Sequence, residues 1–294
     1  MESALDYIKE FLPVRFSRYI DTLPESKKAC IKEIRLRSGK PVAVELGDKC
    51  IFAENESSVS AEDIALVMNL LCDYSMNSVK EKISKGFIPL KYGCRAGIAG
   101  EVIIKNGNIE FQRNINSINI RIAHEYRGCA EKIFNDIYSN GSVFSTLIIS
   151  PPMMGKTTLL RDIARSLGNY VNVAIIDERS EIASCFCGVP QFDTGKRTDV
   201  LDGCPKPEGI AMAVRSMAPD VIITDEIGGS NDCKALMEAA VCGVSFVAAM
   251  HADSIKSAKK RQSARELFDC GIIKRVILLG KSNGIGTIEE VIKL

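Results

Sequence analysis

Ser150-Pro151-Pro152-Met153-Met154-Gly155-Lys156-Thr157-Thr158 (SPPMMGKTT) decides how the rest of the chain reads. Its end, Gly155-Lys156-Thr157, has the form of a phosphate-binding loop. Its start does not, because the Walker A pattern asks for glycine at 150 and finds serine. Met153 stands where many such loops carry a further glycine. The flanking sequence supplies the context. VFSTLIIS, ending at Ser150, reads as a strand. GKTTLLRDIARSL, from Gly155, places Leu159, Leu160, Ile163, Ala164 and Leu167 at helical spacing. A strand, a tight turn and a helix start gather backbone N–H groups and the positive helix end around one point, which suits phosphate. Gly155 permits a turn that a side chain would obstruct, and Pro151-Pro152 can fix backbone where glycine would only permit it. Ser150 is small, and Met153 and Met154 need only point away from the phosphates. The expectation is that Ser150 to Thr158 bind ATP. Lys156 would reach the β- and γ-phosphates, and the Thr157 hydroxyl would hold Mg²⁺.

From about Arg127 onward the chain repeats strand, loop, helix. VNVAIID is a strand, PEGIAMAVRSM a helix and DVIITDE a strand. NDCKALMEAAVCG is a helix, VSFVAAM a strand and RVILLG another. Strands apolar throughout require a sheet covered on both faces, and the alternation implies a mainly parallel sheet. The expected fold is α/β, a RecA-like P-loop NTPase core over 126–294, preceded by a smaller α+β N-terminal domain over 1–125. In such sheets ligands bind at the carboxyl ends of the strands. Asp225 ends one strand and fits the Walker B role of holding Mg²⁺, directly or through water. Glu226 beside it fits the residue that orients and deprotonates attacking water. VNVAIID is read as the strand inserted between the two Walker strands, the mark of the RecA-like division, and it brings Asp177 and Glu178 to the same edge. Paired carboxylates near Mg²⁺ can polarise water. His251 ends VSFVAAMH and fits a sensor of the γ-phosphate or the attacking water.

The N-terminal stretch reads differently. ESALDYIKEFLP is helical up to Pro13. IKEIRLRSGKPVAVELGDKCIFA gives short strands broken at Ser38-Gly39 and Gly47-Asp48. Ser60 with Asp63 forms a capping-box pattern before AEDIALVMNLLCDYS, and Asn106-Gly107 marks a hairpin. No catalytic motif occurs there.

The 294 residues are 46% hydrophobic and 26% charged, enough to bury a substantial core. Lys plus Arg number 38 against 37 Asp plus Glu, which argues against nucleic-acid binding driven by overall basicity. No apolar run reaches the ~18–20 residues of a spanning helix. The first residues carry acids and no long apolar stretch, so a signal peptide is not expected; the expected location is the cytoplasm, with peripheral membrane contact. Eleven scattered cysteines without a C-x-x-C pair, and only two histidines, His124 and His251, read as reduced core thiols and not as a zinc site.

SPPMMGKTTLLRDIAR, AIIDERSEIA, GKRTDVLDGCPKPEGIAMAVRSMAPDVIITDEIG and FVAAMHADS together resemble the stage III sporulation protein AA family, ATPases of endospore-forming bacteria related to the type II/IV secretion ATPases. The resemblance is clear over Cys94–Ile255 and looser before it, and the block from Gly195 to Gly228 is its most specific part. It implies a hexameric ring that energises a channel or secretion-like complex between mother cell and forespore, with membrane-embedded partners. It matches an Asp box to Asp177-Glu178, a His box to His251 and the catalytic glutamate to Glu226. It also implies arginines that neutralise phosphate charge, for which Arg113, Arg121 and Arg215 are the candidates. Two other readings stay open at this stage: a nucleotide-binding scaffold with little or no hydrolysis, and a nucleic-acid motor.

Overall fold

A computed structural model of the chain describes residues 3–47, 49–53, 58–72, 87–105 and 108–294. They divide into two units, Met1–His124 and Glu125–Leu294. The hairpin turn expected at Asn106-Gly107 lies outside the described residues. So do Glu2 and Asp48, and the last residues, 73–75, of the helix expected after Ser60.

The first unit begins with three short helices, α1 (Ala4–Lys9), α2 (Val14–Asp21) and α3 (Glu25–Lys28). Strands β1 (Glu33–Arg37), β2 (Ala43–Leu46) and β3 (Lys49–Phe52) follow, then α4 (Ala61–Leu71), β4 (Phe87–Pro89), β5 (Arg95–Lys105) and β6 (Asn108–Arg121). The strands form one antiparallel sheet in the order β3-β2-β1-β6-β5-β4. Its inward face follows the period of two: Ile34 and Leu36 on β1 and Ile118 and Ile120 on β6 are fully buried. Ile8, Phe16, Ile20, Ile64 and Val67 from the helices complete that core. The capping box at α4 forms as expected. Ser60 N–H donates to Asp63 Oδ2 at 2.7 Å, and Asp63 N–H donates to Ser60 Oγ at 3.2 Å.

The second unit opens with α5 (Phe134–Ile137) and a small ribbon, β7 (Tyr138–Ser139) with β8 (Ser142–Val143). The repeating part then runs β9 (Thr146–Ser150), α6 (Lys156–Leu167), β10 (Val173–Asp177), β11 (Thr198–Asp202), α7 (Lys206–Ser216), β12 (Val221–Glu226), α8 (Ser230–Val241) and β13 (Ser245–His251). It closes with α9 (Ile255–Ala258), α10 (Gln262–Asp269), β14 (Arg275–Gly280) and β15 (Thr287–Lys293). The seven-stranded sheet has the order β11-β10-β12-β13-β9-β14-β15 and is parallel except at β15.

This order corrects one expectation. The strand between the phosphate-loop strand β9 and the Asp225–Glu226 strand β12 is β13, and β10 flanks β12 on the other side. Chain order and spatial order differ because the connections from β9 to β10, β11 to β12, β12 to β13 and β13 to β14 each carry a helix over a face of the sheet. The residue delivered between the two Walker strands is therefore His251, not Asp177.

Alternate residues of each central strand feed two cores. Ile148, Ile175, Ile223 and Val247 pack against Leu160, Ile163 and Leu167 of α6. Leu147, Ile176, Ile222 and Phe246 pack against helices α7, α8 and α10 through Ile210, Leu236 and Leu267. Two covered faces explain why these strands are apolar at every position.

Helix α6 is pinned by Asp162, which is 2% exposed. One carboxylate oxygen accepts from Ala130 N–H at 2.8 Å and the other from Arg165 Nε at 2.8 Å. Burial pushes this carboxyl up, but the Ala130 N–H, Arg165 and the Gly128 N–H together bring it below the ordinary carboxylate range. A carboxyl depressed on folding adds stability above its unfolded pKa and loses it as pH falls through the folded value. Asp162→Asn is expected to cost about 1–3 kcal/mol at neutral pH. The gap to wild type should shrink in acid, read from urea unfolding across that range.

Candidate functional site

The carboxyl ends of β9, β10, β12 and β13 carry Ser150, Asp177, Glu226 and His251. The loop after β9 reaches α6 through two residues of left-handed backbone, Met153 at φ +61° and Gly155 at φ +82°. Gly155 is the residue before the first helical turn, and a side chain there would meet the Gly286 backbone at 3.4 Å. Met153 holds at the apex the conformation that glycine usually supplies, at a cost of about 1–3 kcal/mol for a non-glycine residue. Its side chain is 88% exposed, so nothing crowds the inside of the loop. Met154 instead packs against the core beneath α6 and anchors the loop. Ser150 ends a regular strand, is buried, and is small enough to stand where glycine was expected. Met153→Gly is expected to raise stability by about 1 kcal/mol, as the strain is relieved in part against glycine's greater entropy loss. Nucleotide affinity should stay within a few-fold, checked by unfolding and by fluorescence titration with a nucleotide analogue.

Lys156, the first residue of α6, is 8% exposed. Its ammonium lies 3.0 Å from Ser150 Oγ, 3.2 Å from the Ser150 carbonyl, 2.9 Å from the Pro151 carbonyl and 2.7 Å from His251 Nδ1. Burial lowers its pKa, with Glu226 opposing. An ammonium can only donate, so Nδ1 of His251 accepts and the imidazole proton sits on Nε2. Nε2 lies 3.2 Å from Glu226 Oε2 and so donates to it. Lys156, His251 and Glu226 thus form one connected chain across β9, β13 and β12.

Asp225 points into a second cluster. It is 4% exposed, and burial raises its carboxyl above the ordinary value despite the pull of Lys206. Lys206, the first residue of α7, is itself 4% exposed, with its ammonium 2.7 Å from Asp225 Oδ1 and 2.6 Å from Glu178 Oε2. That oxygen is buried, and the ammonium pairs with it by both charge and hydrogen bond. The acidic pair at the end of β10 is split between two tasks. Glu178 faces Lys206. Asp177, fully buried, spends both oxygens on the N–H groups of Glu181, Ile182 and Ala183, so it shapes the following loop and has no oxygen left to share with Asp225.

Of the three arginine candidates, Arg215 alone lies in this unit. Arg215 is exposed near the end of α7, donating to Ala211 of its own helix, about 14 Å along the axis from Lys206. Arg113 pairs with Glu101 at 2.7 Å and Arg121 with Glu33 at 2.7 Å, both in the first unit and both more than half exposed. Lys206 was not foreseen from the sequence. The signal for it was its place in the first turn of the helix that leads into the Asp225 strand, since such a helix starts at the ligand-binding edge.

The residues present fit a nucleotide with Mg²⁺. The loop offers helix-start N–H groups and an ammonium, and Thr157 and Asp225 are the hard oxygen donors that Mg²⁺ takes. The buried Asp225 carboxylate already faces one cation, the Lys206 ammonium, so its surroundings hold positive charge.

A glycine-lysine-threonine loop leading from β9 into a helix, with the acidic end of β12 on the far side of β13, defines a RecA-like P-loop fold. The same fold occurs in the ATPase DotB of Legionella pneumophila, with a TM-score of 0.60 and 16% identity over 91% of this chain and 76% of that one. It occurs in the pilus retraction motor PilT, solved with bound ADP, with a TM-score of 0.61 and 15% identity over 86% and 76% of the two chains. Residues 5–293 match the family model for sporulation stage III, protein AA, and this chain belongs to that family. It is 41% identical over 293 residues to stage III sporulation protein AA of Bacillus subtilis (strain 168), covering 98% of this chain and 94% of the relative. Among the described residues no helix is long and apolar enough to cross a membrane, and no group of three or more His, Cys, Asp or Glu side chains could hold a metal. All eleven cysteines are free.

Proposed function

We propose that this protein is an ATP-hydrolysing motor of the secretion-ATPase type that works on a membrane-embedded complex between mother cell and forespore during sporulation. The observation that carries the reading is the connected chain from the phosphate-loop ammonium of Lys156 through His251 to Glu226. In this reading His251 is the phosphate sensor and Glu226 the general base, and the two are in contact. Loop N–H groups from Met153 to Thr158 and the Lys156 ammonium bind the phosphates. Thr157 and Asp225 hold Mg²⁺, which when bound neutralises β- and γ-phosphate charge. Glu226 takes the proton of the attacking water, and His251 orients Glu226 through Nε2. When phosphate draws Lys156 away, His251 loses the donor on Nδ1, so the presence of a γ-phosphate is transmitted to the base. Arg113 and Arg121, exposed in the first unit, are the candidates for charge neutralisation from a neighbouring copy in a homo-hexameric ring; Arg215 is a weaker candidate because its guanidinium turns back on its own helix.

Phosphate release by wild type and Lys156→Ala tests this reading, together with mass in solution with and without ATP and Mg²⁺. Equal turnover in the two proteins removes the motor. Tight nucleotide binding without turnover in wild type replaces it with a nucleotide-binding scaffold. Stimulation by single-stranded DNA or RNA favours a nucleic-acid motor.

A further inference from the structure

Lys206 is unused by the mechanism above, yet it is nearly fully buried and touches the carboxylate assigned to the metal. Taking an ammonium out of water is costly, so its position is set by its two counter-ions. Glu178 gives it a hydrogen bond at 2.6 Å from the exposed side. Asp225 holds it at 2.7 Å from the buried side. Glu178 is the partner on the solvent side, with 41% of its side chain exposed against 6% for Asp225, so an ammonium displaced from Asp225 has a second carboxylate to turn to. An ammonium and Mg²⁺ compete for the same oxygen, because two cations within a few ångström of one buried carboxylate repel strongly in a weakly screened site. Mg²⁺ also demands short, near-octahedral oxygen contacts that a neighbouring ammonium would obstruct.

We propose that Lys206 is a built-in cation that occupies the Asp225 carboxylate and withdraws onto Glu178 when a divalent metal arrives with nucleotide, so that metal alone is refused. The inference rests on the assignment of Asp225 as the metal residue. Lys206 acts through Asp225 and is a positioning residue. The device would keep the metal and the triphosphate arriving as one ligand, because phosphate oxygens add the donors that a lone carboxylate and hydroxyl cannot supply against a resident positive charge.

The test is Mn²⁺ binding to the full chain without nucleotide, followed by the electron paramagnetic resonance signal of free Mn²⁺. Lys206→Met keeps the length of the stem, and Lys206→Gln keeps an N–H donor for Asp225; both remove the charge. Each is expected to bind Mn²⁺ at least about tenfold more tightly than wild type. Adding Asp225→Asn should abolish the gain. Unchanged or weaker Mn²⁺ binding in both Lys206 variants overturns the proposal, as does a gain that survives Asp225→Asn. Wild type gives a check that does not depend on the variants folding. Millimolar Mn²⁺ alone should leave its melting temperature unmoved, and a rise that Asp225→Asn abolishes also overturns the proposal. Because no turnover is measured, a chain that binds nucleotide without hydrolysing it can pass this test while failing the phosphate-release test.

Discussion

Glu226→Gln is expected to lower ATP hydrolysis by about 10²–10⁴-fold while nucleotide still binds. The side chain ends β12, is about one-third exposed, and is oriented by His251 Nε2 at 3.2 Å. The amide keeps the size of the carboxylate, and its oxygen still accepts from that Nε2. What it loses is the basicity needed to take a proton from water. The hydrogen-bonded path from Glu226 to the phosphate loop runs through His251 to Lys156. Affinity measured with a fluorescent ATP analogue should therefore move little, while phosphate release collapses. A variant that hydrolyses at the wild-type rate would assign the base elsewhere. A variant that loses binding in parallel would place Glu226 in the binding of nucleotide.

The second large effect falls far from the chemistry. Gly195 precedes β11, and its backbone lies at φ +89° against the end of α6. A Cβ at 195 would sit 2.8 Å from the Arg165 carbonyl and 2.8 Å from Gly168 Cα, both backbone atoms that cannot swing aside. Gly195→Ala thus combines a left-handed backbone with a clash and is expected to cost about 3–5 kcal/mol. Gly168→Ala separates the two causes. Gly168 has an ordinary helical φ of −64°, so only crowding acts, with Thr198 Oγ1 at 2.3 Å and the Thr194 carbonyl at 2.6 Å. It should cost about 1–3 kcal/mol. Urea unfolding of the three proteins decides this, and a Gly195→Ala protein as stable as wild type would mean that the loop before β11 can move away.

These two regions differ in how far the sequence disclosed them. The strands β9, β10, β12, β13 and β14 were legible because burial on both faces makes them apolar throughout. Edge strands are not so constrained. TDVLD of β11 and TIEEVIK of β15 carry their charges on exposed positions, so neither shows the continuous apolar run that marks the inner strands. Gly155, Lys156, Thr157, Asp225, Glu226 and His251 were legible because each sits at a strand end or helix start where a fixed chemistry recurs. Lys206 was not, since its role depends on Glu178 and Asp225, 28 and 19 residues away in the chain and adjacent only in space. Asp177 was legible as a residue of the edge but not in its role. A carboxylate that caps three loop N–H groups looks, in one dimension, the same as one that faces a metal. The position of β13 between the Walker strands was hidden for a similar reason: crossovers reorder the strands, and chain order alone does not record them.

Met153 carries the most general consequence. Its backbone takes the left-handed turn, and its side chain stands out in solvent. A pattern that counts glycines scores this loop as damaged, although its backbone makes left-handed turns at both Met153 and Gly155. Glycine in such loops is thus one means of reaching a shape, and a chain can reach the same shape by accepting local strain and spending core contacts, here those of Met154, to hold it. Divergent members of nucleotide-binding families should then be sought by backbone sign pattern and by the lysine at the helix start, with the glycines treated as replaceable.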